Sequence, residues 1–163
     1  MSLVESIKRC FGVGEPPSPK ELVNFDGFDE LDKNSAVETF GGKSKDDIES
    51  SLNEGRFGNL CDTENLLVLE PKGYQYYLAP YLIRIVENQG APENLECASF
   101  IVFAIREIVR LRGTDAFSSE QKTVLHHWVD HILSGVDEWD RDDAFAESLP
   151  ADLRSLKLSL GAD

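Results

Sequence analysis

Glu70-Pro71-Lys72-Gly73-Tyr74-Gln75-Tyr76-Tyr77-Leu78-Ala79-Pro80-Tyr81-Leu82 contains all four tyrosines of this 163-residue chain and leads into an apolar run over residues 82–86. Three of the tyrosines recur with aliphatic side chains at intervals of three and four residues, which places them on one helix face. This face comprises Tyr74, Tyr77, Leu78, Tyr81, Leu82 and Ile85. The pattern predicts a buried helix over residues 71–87, with a kink where Pro80 removes a backbone hydrogen bond.

Helix signals recur on both sides of this segment. Capping boxes, in which a serine is followed three residues later by Glu or Gln, stand at Ser2, Ser18 and Ser118. The first predicts a helix over about residues 3–11 and the last a helix over 119–133, whereas the apolar-poor region 19–31 is predicted to be irregular. Further helices are predicted over 34–40, 45–53 and about 93–112, and the apolar run 66–69 fits either a short strand or a helical turn.

The composition changes along the C-terminal half of the chain. The segment 93–112 is apolar nearly all round in its middle, which predicts a central position in the core. Residues 137–152 hold seven acids against Arg141 alone, and Pro150 is predicted to start a last, weak helix. We therefore expect an all-α protein. Residues 1–135 would form one domain of about five helices, and residues 136–163 an acidic extension partly packed on that domain.

Net charge is the compositional outlier, because 16 basic residues face 30 acidic ones and leave a charge of −14. A field of this sign repels nucleic acids and anionic membranes and attracts basic proteins. The chain start lacks the pattern of a secretory signal, and no apolar run approaches a membrane span. Three cysteines without a CxxC pair favour reduced thiols over a zinc site. We expect a cytoplasmic protein without a cofactor, and the oligomeric state stays open.

The tyrosine stretch resembles a bacterial family of uncharacterised domains in which Thr-Pro-x-Gly-Phe-x-Tyr-Tyr-Leu-Pro-Ala-Tyr is typical. Weaker similarity in segments 11–16, 40–43 and 117–121 extends the resemblance over roughly residues 3–134. The resemblance implies the fold class, and the family contributes no established activity. Two departures stand out. Many members carry a His and Cys cluster where this chain has residues 23–30, and the proline of the central motif is displaced by one residue, to Pro80.

His127 and His131 are the only residues whose spacing suits a metal site. They are four residues apart, so both imidazoles could reach one divalent ion from one face of a helix. The apolar stripe of this helix uses other positions, which places His126, His127, Asp130 and His131 on the opposite, solvated face. This pattern favours a polar surface, and a metal site at His127 and His131 is the alternative.

Tyr77, Arg106 and Arg110 are candidate ligand-binding residues. The two arginines lie one helical turn apart, and in an acidic chain such cations usually pair with their own carboxylates. The alternative is that the two arginines bind an anion. Tyr77 could line an aromatic pocket, but tyrosines at helical spacing are more often core residues with hydrogen-bonded hydroxyls. The same reasoning applies to Cys97. It lies among apolar residues and is predicted to be a small core side chain.

Two functions are favoured by these observations, and a scaffold or oligomer subunit with an exposed patch of Tyr and Phe residues is a third possibility. The first is a protein-interaction module that binds a basic partner, for example in an immunity- or antitoxin-like role against a cationic nuclease toxin. It rests on the net charge, the acidic segment 137–152 and the absence of nucleotide, phosphate or catalytic motifs. The second is a small-ligand-binding protein or enzyme with a site between helices. No residue pattern identifies a reaction, so we lean away from an enzyme.

Overall fold

A computed structural model describes residues 1–23, 27–89, 92–139 and 141–161, and it leaves the side chains of residues 92 and 93 undescribed. The described residues form α-helices and three 3₁₀ turns, without a strand, which confirms the all-α class. The number of helices is larger than the predicted five. They are α1 Leu3–Cys10, α2 Pro19–Leu22, α3 Glu30–Phe40, α4 Lys45–Asn53, α5 Thr63–Leu67, α6 Pro71–Glu87, α7 Pro92–Arg112, α8 Ser119–Ser134 and α9 Ala144–Ser159. The 3₁₀ turns are Gly58–Cys61, Thr114–Ala116 and Val136–Glu138.

The extra helices arise where local signals outweigh weak hydrophobic patterns. The predicted irregular region contains α2, because the capping box of Ser18 and Glu21 is complete and proline occupies the first turn. Helix α3 starts earlier than expected because the Asp29 side chain accepts a hydrogen bond from the Asp32 backbone. The ambiguous run at 66–69 lies in and just after α5, so it is helical rather than a strand. Residues 24–26, in the predicted irregular region, and residues 90–91, between the helices predicted over 71–87 and about 93–112, lie outside the described residues.

Helix α6 forms the centre of the fold and packs against α1, α2, α4, α7 and α8. It continues from Pro71 to Glu87 with Pro80 inside it, and the kink at Pro80 stays a prediction. Gly12, which follows α1, packs closely against α6. Its backbone N–H donates to the Gln75 carbonyl at 3.0 Å, and its φ of 67° is one that favours glycine. A methyl group there would lie only 3.1 Å from the Ala79 Cβ.

Helix α7 is less central than predicted. Phe103 is 51% exposed and Leu111 is also exposed, although both belong to the apolar set from which a core position was inferred. The physical reason is that α5, α6 and α9 cover only part of the circumference of α7. The apolar side chains on every side of α7 therefore did not mean that every side of the helix is buried. The uncovered strip carries Glu96 and Arg110 beside Phe103.

Helix α9 begins at Ala144, not at Pro150 as predicted. The Asp143 side chain caps it by accepting a hydrogen bond from the Phe145 N–H at 2.8 Å, so Pro150 lies inside the helix. The prolyl ring costs one helical hydrogen bond, and burial of Leu149, Leu153 and Leu156 offsets that cost. Helix α9 packs against α7 and α8. The division of the chain at residue 135 stays a prediction.

Candidate functional site

The tyrosine face of α6 is core, as the sequence favoured. Tyr74, Tyr77 and Tyr81 are fully buried, and each hydroxyl donates to a backbone carbonyl of another element. Tyr74 bonds Ala116 at 2.7 Å, Tyr77 bonds the carbonyls of residues 40 and 43, and Tyr81 bonds that of residue 60. These carbonyls lie at helix ends and turns, where fewer backbone donors are available than within a helix. The tyrosines therefore hold turns in place around α6 and do not line a ligand pocket.

Burial determines the protonation of these hydroxyls. It raises the pKa of Tyr77 to about 12, with the neighbouring Tyr76 adding to the effect. Burial also raises the pKa of Tyr74 and, to a larger extent, that of Tyr81. The three hydroxyls are thus neutral donors at physiological pH, and none is set up as a base or a nucleophile.

The arginines pair with carboxylates of the chain itself. Arg106 donates to Asp152 of α9 at 2.9 Å, and Arg110 pairs with Glu107 one turn earlier at 2.7 Å. Tyr77 bonds the turn between α3 and α4 instead. The structure therefore gives Tyr77, Arg106 and Arg110 separate partners and does not join them in one site. The pairing with internal carboxylates agrees with the interpretation that the sequence favoured.

The histidines of α8 are distributed differently from the prediction. His127 is exposed and His131 is half-buried, but His126 is only 6% exposed, so its place on the solvated face was wrong. The cause is that α8 packs against α1 and α6 on one side and α9 on another, which widens its buried arc. Asp130 of the same face is held by Lys157 at 2.6 Å. In the part of the chain that the structure describes, no three His, Cys, Asp or Glu side chains are grouped to hold a metal ion.

Two open clefts are the candidate binding sites that the structure adds. The larger, of about 530 Å³, lies between α3, α4 and the 3₁₀ turn at 58–61. Its lining includes Lys43 and Arg56 with the apolar side chains of Ile48, Phe57 and Leu60. The second, of about 380 Å³, lies in the acidic segment before and within the start of α9. It is lined by Val136, Asp137, Trp139, Arg141, Ala146 and Glu147.

A pair of thiols is the feature that sequence reasoning missed. Cys61, which ends the 3₁₀ turn, is half-buried, and the neighbouring Cys97 thiol of α7 is the main cause that lowers the pKa of the Cys61 thiol. The two residues are 36 positions apart and share no motif, so only tertiary packing, in which α5 lies against α7, makes them neighbours. Cys97 was correctly placed in the core, at 1% exposure. Its neighbour was not foreseen.

Comparison with protein-family models, with curated proteins and with solved structures gives no match for this chain. Among the described helices, none combines the length and hydrophobicity needed to cross a membrane. The functional argument therefore rests on the clefts and the charge distribution.

Proposed function

We propose that this protein is an acidic interaction module that binds a basic partner protein. The observation that carries the proposal is the second cleft, in which Asp137 and Glu147 stand beside the apolar side chains of Val136, Ala146 and Trp139. A lysine or arginine side chain has an apolar stem and a charged tip. Such a side chain would bury its stem on the apolar lining and place its tip between the two carboxylates.

The described residues of the acidic segment are organised before any partner arrives. Trp139 is 5% exposed and anchors the segment in the core, while Asp143 caps α9. Because these residues are already ordered, binding would not require the segment to fold, and less conformational entropy would be lost. Arg141 also lines the cleft and is the single cation among the seven acids of residues 137–152. Seven acids and one arginine give the segment 137–152 a net charge of −6, and the lining of the cleft itself is also net negative.

The net charge of −14 would act over a longer range than the cleft. It would accelerate encounter with a cationic protein more than it would increase the final affinity, and salt would screen it. Neutralisation of a cationic nuclease toxin, as in immunity or antitoxin proteins, is one role in this class. A cytoplasmic location and the resemblance to the uncharacterised bacterial family belong to the same proposal, and neither adds an activity.

Affinity capture from host lysate at low and high salt tests this function. The bait is the intact chain, compared with the double variant Asp137→Asn/Glu147→Gln. We expect the wild type to retain a basic protein at low salt and release it at high salt. With the purified partner, the variant should associate about tenfold more slowly or worse, because it lacks the local field.

The matched control is Glu15→Gln/Glu87→Gln, which removes two exposed acids elsewhere and has the same net charge as the cleft variant. It should bind nearly as the wild type does. Equal losses in both variants would show that only the overall charge matters and would contradict a role for the cleft. Retention of the partner at high salt would contradict the electrostatic basis of the proposal.

A second candidate function is binding of a small anionic molecule in the larger cleft. The observation that favours it is the lining of one cleft of an otherwise acidic protein, in which two cations, Lys43 and Arg56, outnumber the single carboxylate of Glu38. The Lys43 ammonium donates to the Thr39 carbonyl at 2.6 Å, which fixes it beside the end of α3, and Arg56 pairs with Glu54 at 2.7 Å. The apolar floor of this cleft would suit a carboxylate or phosphate compound with a hydrophobic part.

Thermal-shift measurements against carboxylate and phosphate metabolites test this alternative, with Zn²⁺ in the same series for His127 and His131. If the alternative holds, one anionic compound raises the melting temperature of the wild type and has a smaller effect on Arg56→Gln. We expect Zn²⁺ to raise the melting temperature no more in the wild type than in His131→Ala. A zinc effect that His131→Ala abolishes would contradict the surface interpretation of these histidines.

A further inference from the structure

The side of α7 that α5, α6 and α9 leave uncovered is centred on Phe103. Phe103 is 51% exposed, and Glu96 and Arg110, which lie seven positions before and after it, are exposed as well. Seven residues are almost two helical turns, so the three side chains leave the helix on the same side. The same side carries four partly buried residues, which are Ser99, Phe100, Arg106 and Glu107. We call these seven residues the α7 strip.

The α7 strip differs in charge from the protein as a whole. Its carboxylates belong to Glu96 and Glu107 and its guanidinium groups to Arg106 and Arg110, so its net charge is zero in a chain of −14. A basic partner would be attracted to the acidic surfaces of the chain rather than to this strip. Two copies of the chain repel each other overall, but along this strip no excess of one charge opposes their approach.

The order of residues in the α7 strip is self-complementary about Phe103. A two-fold axis that passes through Phe103, perpendicular to α7, places a second copy of the helix antiparallel to the first. Positions equally far before and after Phe103 then face each other. Glu96 of each copy faces Arg110 of the other, at about 10 Å on either side of the axis. The two Phe103 rings meet at the axis itself.

The inner positions of the strip are complementary in the same arrangement. Phe100 faces Arg106 of the other copy, and a guanidinium stacks favourably on an aromatic ring. Ser99 faces Glu107 of the other copy, whose carboxylate can accept a hydrogen bond from the serine hydroxyl. A parallel arrangement would instead place each charge opposite an identical one, which is unfavourable. The sequence of the strip therefore favours the antiparallel pairing.

The arginines of the strip can bind a second copy while they keep their present partners. Arg110 pairs with Glu107 at 2.7 Å, but its side chain is 65% exposed and a guanidinium has five N–H donors. Arg106 pairs with Asp152 of α9 at 2.9 Å, and 35% of its side chain is still exposed. The carboxylates of the same copy orient both guanidinium groups in advance, so less conformational entropy is lost on association.

We propose that two copies of this chain associate through the α7 strip into an antiparallel dimer with two-fold symmetry. The contact is one helix face wide, which is a small interface of the kind found in weak, transient complexes. None of the residues that line the second, acidic cleft belongs to the strip. Dimerisation is therefore independent of the binding of a basic partner there.

Sedimentation analysis of the full chain at about 0.15 M salt tests this proposal, because exposed charges more than about 8 Å apart are largely screened at that ionic strength. We expect the mean mass of the wild type to rise from that of a monomer towards that of a dimer as the concentration reaches the high micromolar range. Glu96→Arg and Arg110→Glu should each weaken association about tenfold or more, since each creates two pairs of like charges across the interface.

An equimolar mixture of Glu96→Arg and Arg110→Glu tests the pairing of these two positions directly. In the mixed dimer each introduced charge faces an introduced charge of opposite sign, and the native Arg110 of one variant faces the native Glu96 of the other. The mixture should therefore associate about as strongly as the wild type. Variants that had failed to fold could not recover in this way, so the mixture also controls for misfolding.

Glu15→Arg is the matched control, because it changes the net charge as Glu96→Arg does but lies outside α7. It should dimerise at least as strongly as the wild type, since it reduces the overall repulsion. Three results would overturn the proposal: a wild type that stays monomeric throughout, equal association of Glu96→Arg and Glu15→Arg, or a mixture that does not recover. Growth beyond a dimer would indicate a head-to-tail contact and would contradict the two-fold symmetry.

Discussion

Replacement of Tyr81 by alanine is expected to lower the free energy of unfolding by about 3–5 kcal/mol. The side chain is fully buried, packs against Phe100 and holds the carbonyl of Leu60. Truncation would therefore remove an aromatic ring from the core and leave a buried carbonyl without its donor. Urea denaturation followed by circular dichroism measures the change.

Tyr81→Phe separates the two contributions. It keeps the ring and removes the hydroxyl, so it should cost about 1–3 kcal/mol, the penalty for an unsatisfied buried acceptor. The matched control is Phe103→Ala on α7, which removes a half-exposed aromatic side chain and should cost clearly less. Equal losses for Tyr81→Ala and Phe103→Ala would contradict the role of the tyrosine face as core.

Leu153→Ala in α9 is expected to cost about 2–5 kcal/mol of unfolding free energy, because it opens a cavity at a fully buried leucine. The result matters beyond stability, since α9 contains the second half of the acidic segment 137–152 that is proposed as the binding surface. A large loss would show that this segment is anchored by the core. The same denaturation experiment measures it.

Leu158→Ala is the control in the same helix. Leu158 is 83% exposed, so the identical substitution should change the unfolding free energy by no more than about 0.5 kcal/mol. If both variants lose the same small amount, α9 is attached only loosely. That result would contradict the proposal that the core anchors the acidic segment.

Local chemistry made several helix starts predictable. The capping boxes that predicted helices after Ser2 and Ser118 form, because each needs only residues three positions apart in the chain. The tyrosine face was predictable for the same reason, since intervals of three and four residues define one side of any helix. What the sequence alone determined was the helical class, most helix starts and the burial of the tyrosines.

Tertiary packing decided the rest, because it depends on which elements cover a helix rather than on the helix itself. His126 is buried since α8 has neighbours on two sides, and Phe103 is exposed since the neighbours of α7 leave one side uncovered. Pro150 lies within α9 because buried leucines outweigh one missing hydrogen bond. Cys61 and Cys97 are neighbours that influence each other's pKa although they are 36 positions apart in the chain. No local pattern encodes such proximity, so only the folded chain shows it.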